Sequence, residues 1–255
     1  MISIAGLLIV VMGAGATGSA SLTADEVAKA AYERYEGRDM IMELTMILRN
    51  DKGSEKRRQV RMWRLETAEG KRMRMLFTAP ADLKGTGFVV YSYDDPGRDE
   101  DQWLYLPAIR RTRRIAGKAR TGSFLGTDFS FDDLGDRRIE DDTYRLLPDE
   151  ILDGQSCYVL EAAPKDPEYQ YGKQLAWIGK DDYIIRKAEF FTRGGVKIKE
   201  LTASEIKRAN DIWTAHRMEM KDLEKGHSTV LEFSDVRYNT GLDATMVSKE
   251  RLEEN

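Results

Sequence analysis

Cysteine is almost missing from this sequence: Cys157 stands alone, so no internal disulfide can staple the fold. Histidine is nearly as scarce. His216 falls in the middle of an apparent strand and His227 in a turn region, which leaves little scope for the commonest metal sites and nucleophile–base pairs. No charge of one sign dominates, since 40 Lys+Arg face 44 Asp+Glu for a net charge of −4. The chain therefore lacks the global basic field of a nucleic-acid binder, and nucleic acid is not an expected partner. Neither a nucleophile elbow nor a phosphate-cradling loop ending in Gly-Lys-Ser/Thr is present: Gly122-Ser123-Phe124 and Gly126-Thr127-Asp128 fit neither pattern. Asp128, Asp132 and Asp133 have the spacing of ordinary loop and helix-start acids. The expectation is a protein that is not an enzyme, with no catalytic residues, no metal and no cofactor.

What is present is a chain of 255 residues, 41% apolar and 33% charged, large enough for a substantial core. The apolar run Ile2–Met12 is too short to span a bilayer comfortably, and small residues follow it, with Gly18 and Ala20 at the −3 and −1 positions. Residues 1–20 read as a secretory signal peptide cut before Ser21, although the basic start of such a signal is missing; the alternative is an N-terminal anchor. No cysteine stands directly after the cleavage site, so residues 21–255 are expected as one exported, soluble, unlipidated domain.

Thr23-Ala24-Asp25-Glu26 has the spacing of a capping box and predicts a short helix, with Val27, Ala30, Ala31 and Tyr35 on one face until Gly37. From Met40 the period changes to two: Met40, Met42, Leu44, Met46 and Leu48 alternate with their neighbours. Turn residues then separate further alternating runs at 59–65, 72–78, 88–93, 102–106, 144–147, 156–163, 173–178, 184–191, 197–201, 212–221 and 229–237. These runs with their short loops describe a mainly β protein, a large antiparallel sheet that curls or closes. The tail 245–254 has room for one or two helical turns.

Methionine is concentrated in these strands. Met40, Met42, Met46, Met62, Met73, Met75, Met218 and Met220 sit mostly at period-two spacing, where Val and Ile are usual. Such flexible, polarizable side chains suit an adaptable apolar cavity, which Leu44 and Phe77 would also line; an ordinary core is the plainer alternative. Trp103, Tyr105, Phe124, Phe129 and Phe131 are the candidates for its mouth or lid, the last three in a segment given freedom by Gly122 and Gly126. Arg110, Arg111, Arg113 and Arg114 put guanidinium groups on both faces of any strand, so they belong to an edge or loop. There they would dock phosphate or carboxylate groups of a partner or membrane, or simply guard the edge against aggregation.

Phe77-Thr78-Ala79-Pro80, Lys84-Gly85-Thr86-Gly87, Trp103-Leu104-Tyr105-Leu106-Pro107, the arginine run, and Gly126-Thr127-Asp128-Phe129-Ser130-Phe131-Asp132-Asp133-Leu134 together resemble the LolA-like outer membrane lipoprotein-sorting protein family of Gram-negative bacteria. The resemblance covers nearly all of residues 21–255 and is strongest to a branch often encoded near RND-type exporters. It implies an unclosed antiparallel β-barrel, LolA/LolB-like, with a few short helices covering an apolar cavity. It also implies a periplasmic carrier that binds the acyl chains of lipoproteins or other lipids and helps move them toward the outer membrane. The alternative is a periplasmic adaptor or sensor for an inner-membrane RND-type exporter or a signalling protein.

Overall fold

The computed structural model describes residues 22–254; the signal-peptide reading lies outside the described residues. The chain is mainly β and antiparallel, with thirteen strands and one α-helix among the described residues. It divides into two compact units. The smaller takes the helix and Arg137–Val196, and the larger takes Glu36–Asp136 together with the chain from Lys197 onward.

In the smaller unit helix α1 is Ala24–Tyr32, and the capping box forms as read: Thr23 Oγ1 accepts from the Glu26 amide while the Glu26 carboxylate accepts from the Thr23 amide. The helix ends earlier than the apolar spacing suggested. Tyr35 lies beyond it and is half exposed, and the buried face is Val27, Ala28 and Ala31, with Ala30 only partly covered. That face packs on Leu160, Ala176 and Ile178. The sheet beneath is a four-stranded meander of β7 (Asp142–Leu152), β8 (Gln155–Pro164), β9 (Lys173–Gly179) and β10 (Ile185–Phe191).

The larger unit holds β1 (Asp39–Arg49), β2 (Glu55–Thr67), β3 (Gly70–Ala79), β4 (Gly87–Tyr93), β5 (Asp101–Leu106), β6 (Arg111–Ile115), β11 (Lys197–Ala209), β12 (Ile212–Asp222) and β13 (His227–Tyr238). Their order is β6-β5-β4-β3-β2-β1-β13-β12-β11; β6 and β11 do not pair with each other, so this nine-stranded sheet is unclosed. The strand read least readily from sequence is β6, because three of its five residues are arginines, which carry little strand preference. It forms by pairing with β5, from Gln102↔Ile115 to Leu106↔Arg111.

The pairing of β1 with β13 fastens the sheet across the longest sequence gap. Asp39 anchors its end, its carboxylate accepting from the Thr240 amide and hydroxyl, both at 2.7 Å, and from the Gly241 and Leu242 amides at 2.9 and 3.2 Å. The tail forms two 3-10 turns, Ala244–Val247 and Glu250–Leu252, which contact β2, β3 and β4 and bury Val247 and Leu252. Under this tail lies Arg74, only 2% exposed, with its guanidinium 4.7 Å from the Trp63 ring centre and 3.4 Å from the Met246 and Arg251 carbonyls.

Candidate functional site

Successive residues of a strand point to opposite faces, so cross-strand pairing fixes which side chains meet. Met42, Met62, Met75, Phe88 and Leu104 form one continuous row from β1 to β5, and Arg113 of β6 continues it at the edge. A neighbouring row joins Phe233, Leu44, Val60 and Phe77; another joins Met218, Leu231, Met46 and Arg58; Met220 sits beside Thr229 and Leu48. Met40 and Met73 flank Arg64 on the same side. All ten residues singled out for an apolar cavity therefore share one face of the larger sheet. Met40, Met42, Leu44, Met46, Met75, Phe77 and Met220 are buried, whereas Met62, Met73 and Met218 keep part of their surface.

The phenylalanine segment lies across this face. The Phe124 ring centre is 5.0 Å from that of Phe88 and 6.0 Å from that of Phe77; Phe131 stands 5.6 Å from Phe88 and 5.4 Å edge-on from Phe124. Phe129 is buried as well. The segment continues to β13, where Asp128 meets Thr229, and to β11, where Asp133 lies 3.4 Å from the Lys199 ammonium.

Its backbone is closely tied rather than loose. The Phe124 amide donates to the Phe129 carbonyl, the Phe131 amide to the Gly122 carbonyl, and Gln102 Nε2 to the Phe131 carbonyl at 2.9 Å. Freedom at Gly122 is not used, since it is extended with φ −69°; the tight turn falls on Leu125 and Gly126, at φ 49° and 82°.

The aromatic candidates do not converge. Trp103 and Tyr105 alternate with Leu104 and so face away from Phe88, Phe124 and Phe131; Trp103 packs edge-on against Tyr91 at 5.0 Å, with Lys249 of the tail 5.2 Å away. The grouping of all five as one mouth missed this because the phenylalanine segment reaches the opposite face by a long-range return that no local pattern records.

Arg110, Arg111, Arg113 and Arg114 are exposed at the edge strand and the turn before it. Arg114 is bound to the Asp101 carboxylate at 2.6 Å on the Trp103 side. Arg110, Arg111 and Arg113 have no carboxylate partner among the described residues, and pairing puts Arg111 and Arg113 on the same side as Leu106 and Leu104. A basic margin thus borders the apolar face, with the exposed side chain of Ile109 next to it.

One group in this region had no signal in the sequence. The Glu100 side chain, 7% exposed, gathers Arg120 at 2.9 Å, Ser92 Oγ at 2.6 Å, Gln102 Nε2 at 2.7 Å and the Asp136 amide at 2.8 Å. Arg120 also binds Asp132 at 2.9 Å, so this hub fastens the start and end of the crossing segment. Desolvation pushes the Glu100 carboxyl up, against the pull of Arg120 and its hydrogen bonds. Gly135 makes the packing feasible, because a Cβ there would stand 2.3 Å from Glu100 Oε1.

Chemically the site offers apolar area, a fixed crossing segment and free guanidinium groups. His216 Nδ1 donates to the Phe233 carbonyl, 3.1 Å away, and His227 begins β13. Among the described residues no group of three or more His, Cys, Asp or Glu is placed to hold a metal ion, and no helix is long and apolar enough to cross a membrane.

A family model described only as an uncharacterized protein matches residues 69–254. No curated protein matches the chain closely enough to count as a relative. Solved structures do. A domain named for outer membrane lipoprotein sorting, from Vibrio parahaemolyticus, is 36% identical with a TM-score of 0.84, covering 90% of this chain and 98% of its own. A DUF1329 family protein from Desulfovibrio piger is 28% identical at a TM-score of 0.84, with 89% and 97% covered. A LolA superfamily protein from Nitrosomonas europaea shares the fold at 21% identity and a TM-score of 0.69, over 91% of this chain and all of its own. With its unclosed antiparallel sheet, one short α-helix among the described residues and this agreement over nearly the whole described chain, the protein belongs to the LolA-like outer membrane lipoprotein-sorting family.

Proposed function

We propose that this protein is a periplasmic carrier that takes the acyl chains of lipoproteins or other lipids onto the methionine-rich face of its larger unit and helps move them toward the outer membrane. The observation that supports this reading is the unbroken row Met42, Met62, Met75, Phe88, Leu104, which ends at an exposed basic margin. Each methylene withdrawn from water contributes about 0.8 kcal/mol, so an acyl chain laid along such a row is held by area, without directional contacts that would hinder release. Thioether side chains adapt to chains of different length and unsaturation. The partly exposed Met62, Met73 and Met218 supply the first contacts, and deeper entry at Phe77 and Phe88 requires Phe124 and Phe131 to lift away.

The test is extraction of the protein purified from its own periplasm, with mass spectrometry of the organic phase, alongside titration with a fluorescent acyl probe. Co-purified acyl lipid or lipoprotein is expected, with saturable probe binding. A protein that emerges empty and ignores the probe would not be a carrier. In that case the second reading gains: an adaptor or sensor for an RND-type exporter or signalling protein. The specific observation favouring it is that Arg110, Arg111 and Arg113 stand without carboxylate partners beside an edge strand whose outer ladder is open.

A further inference from the structure

Strand β2 carries two arginines on its apolar-face side, and they are treated very differently. Arg64, next to Met40 and Met73, has an anion beside it: its guanidinium lies 3.4 Å from the Glu36 carboxylate, and its Nη2 donates to the Glu36 and Gly37 carbonyls, although Nη1 makes no hydrogen bond. Arg58 stands six residues away on the same side of the same strand, paired across β1 with Met46, and beyond it with Leu231 and Met218. It makes no hydrogen bond or ion pair with any described residue, and its Nη1 is buried without an acceptor. Burial pushes this guanidinium below its ordinary value, with only the more distant charge of Asp82 acting the other way.

A charged fork half-buried beside methionine and leucine, with Nη1 out of reach of any acceptor, gains from a ligand that supplies one. Such a ligand has a defined chemistry. A guanidinium presents paired N–H donors that match the two oxygens of a carboxylate or phosphate, and that match is strongest where water is excluded. A neutral ester or amide supplies only a single carbonyl. His216 on the same face is no substitute as a neutral ring, because Nδ1 donating to the Phe233 carbonyl leaves Nε2 an acceptor with nothing to offer an anion.

Resting on the reading that this face takes acyl chains, we infer that Arg58 is an oxyanion site for the head group of the bound molecule, so that the ligand is an acidic amphiphile. A free fatty acid or a monoacyl phosphate has the required head and tail. The acyl chains of a lipoprotein enter through ester and amide linkages and carry no oxyanion at that point. The inference therefore separates lipid carriage from lipoprotein carriage.

Palmitate, methyl palmitate and monopalmitoylglycerol phosphate, each kept below its micelle concentration, are titrated by displacement of a fluorescent acyl probe from the full protein and from Arg58→Met and Arg58→Lys. With the unaltered protein, palmitate is expected to bind about tenfold or more tightly than its methyl ester, as fits a charge-assisted pair. Arg58→Met should erase that preference while leaving the ester unchanged, and Arg58→Lys should keep part of it. Thermal melting verifies folding, and Arg58→Lys serves if Arg58→Met does not fold. Tighter binding of the phosphate than of palmitate identifies a phosphate head, and the reverse order a carboxylate. Equal binding of acid and ester by the unaltered protein, or a preference surviving in Arg58→Met, overturns the inference and leaves acyl-chain binding intact. Failure of all three ligands to displace the probe removes the acyl-chain reading itself, and this inference with it.

Discussion

Asp128 and Thr229, 101 residues apart, hold each other by two hydrogen bonds: the Asp128 amide donates to Thr229 Oγ1 at 3.0 Å, and the same hydroxyl donates to the Asp128 carboxylate at 2.7 Å. This is where the crossing segment is pinned to β13. Desolvation pushes the Asp128 carboxyl up, Asp222 pushes it further, and the Thr229 bond, His227 and Lys199 pull it back. A carboxyl raised above its unfolded value of about 3.9 favours the fold fully below that value and loses the contribution as pH rises through the folded value. Amide exchange protection over Thr127–Phe131, corrected for intrinsic rates, is expected to weaken on that rise. Asp128→Asn should flatten the profile; parallel profiles for both proteins would place the dependence elsewhere.

Asp39 has the opposite sign. Burial alone would raise its carboxyl, but the bonds from Thr240, Leu242 and Gly241 outweigh that and lower it. Its contribution is present above about 3.9, the unfolded value, and is lost as pH falls through the folded value. Urea unfolding across the acid range should show Asp39→Asn less stable than the unaltered protein at neutral pH, with the difference shrinking on acidification. A constant difference would mean that the charge is not what anchors the end of β13.

Phe88 sits beneath both Phe124 and Phe131 and is fully buried. Phe88→Ala is expected to cost about 3–5 kcal/mol in urea unfolding. Met73→Gln and Met218→Gln change half-covered positions and should cost under about 2 kcal/mol, yet reduce acyl-probe binding. If both lose stability as heavily as Phe88→Ala, the methionine face is simply packed core.

Replacing Arg110, Arg111 and Arg113 together by Gln is expected to weaken sedimentation with phosphatidylglycerol vesicles at low ionic strength, and to have little effect at high salt. Arg114→Gln should matter much less, because Asp101 already neutralises that guanidinium. Acyl-probe binding should be nearly unchanged in both. Vesicle binding that survives the triple change would leave the basic margin as a guard against edge pairing.

Alternation from Met40 to Leu48 is a signal that one strand carries by itself, which is why the strands and the shared face of the methionines were legible in the sequence. Arg74 shows where that signal stops. Its place in the alternation puts it opposite Met73 and Met75, as a solvent-facing residue would be, yet the tail from Ala244 to Leu252 covers it. The positions of Trp103 and Phe124 on opposite faces, the gathering of Glu100 with Arg120, and the isolation of Arg58 all depend on which distant segment returns to which row. Periodicity records the face of a strand and says nothing of what is laid upon it.

The pairing of β1 with β13 also sets the order of events in time. Met40 finds Tyr238 opposite it, so the first strand of the larger unit waits for nearly two hundred further residues before its second neighbour exists. Contacts of such separation are costly to close and slow to form. While the ribosome is still adding the residues before β13, β1 has one edge unsatisfied and Asp39 has no Thr240 to hold. Completion of this sheet therefore waits until β13 itself has been made, and until then the larger unit lacks the one pairing that joins its beginning to its end.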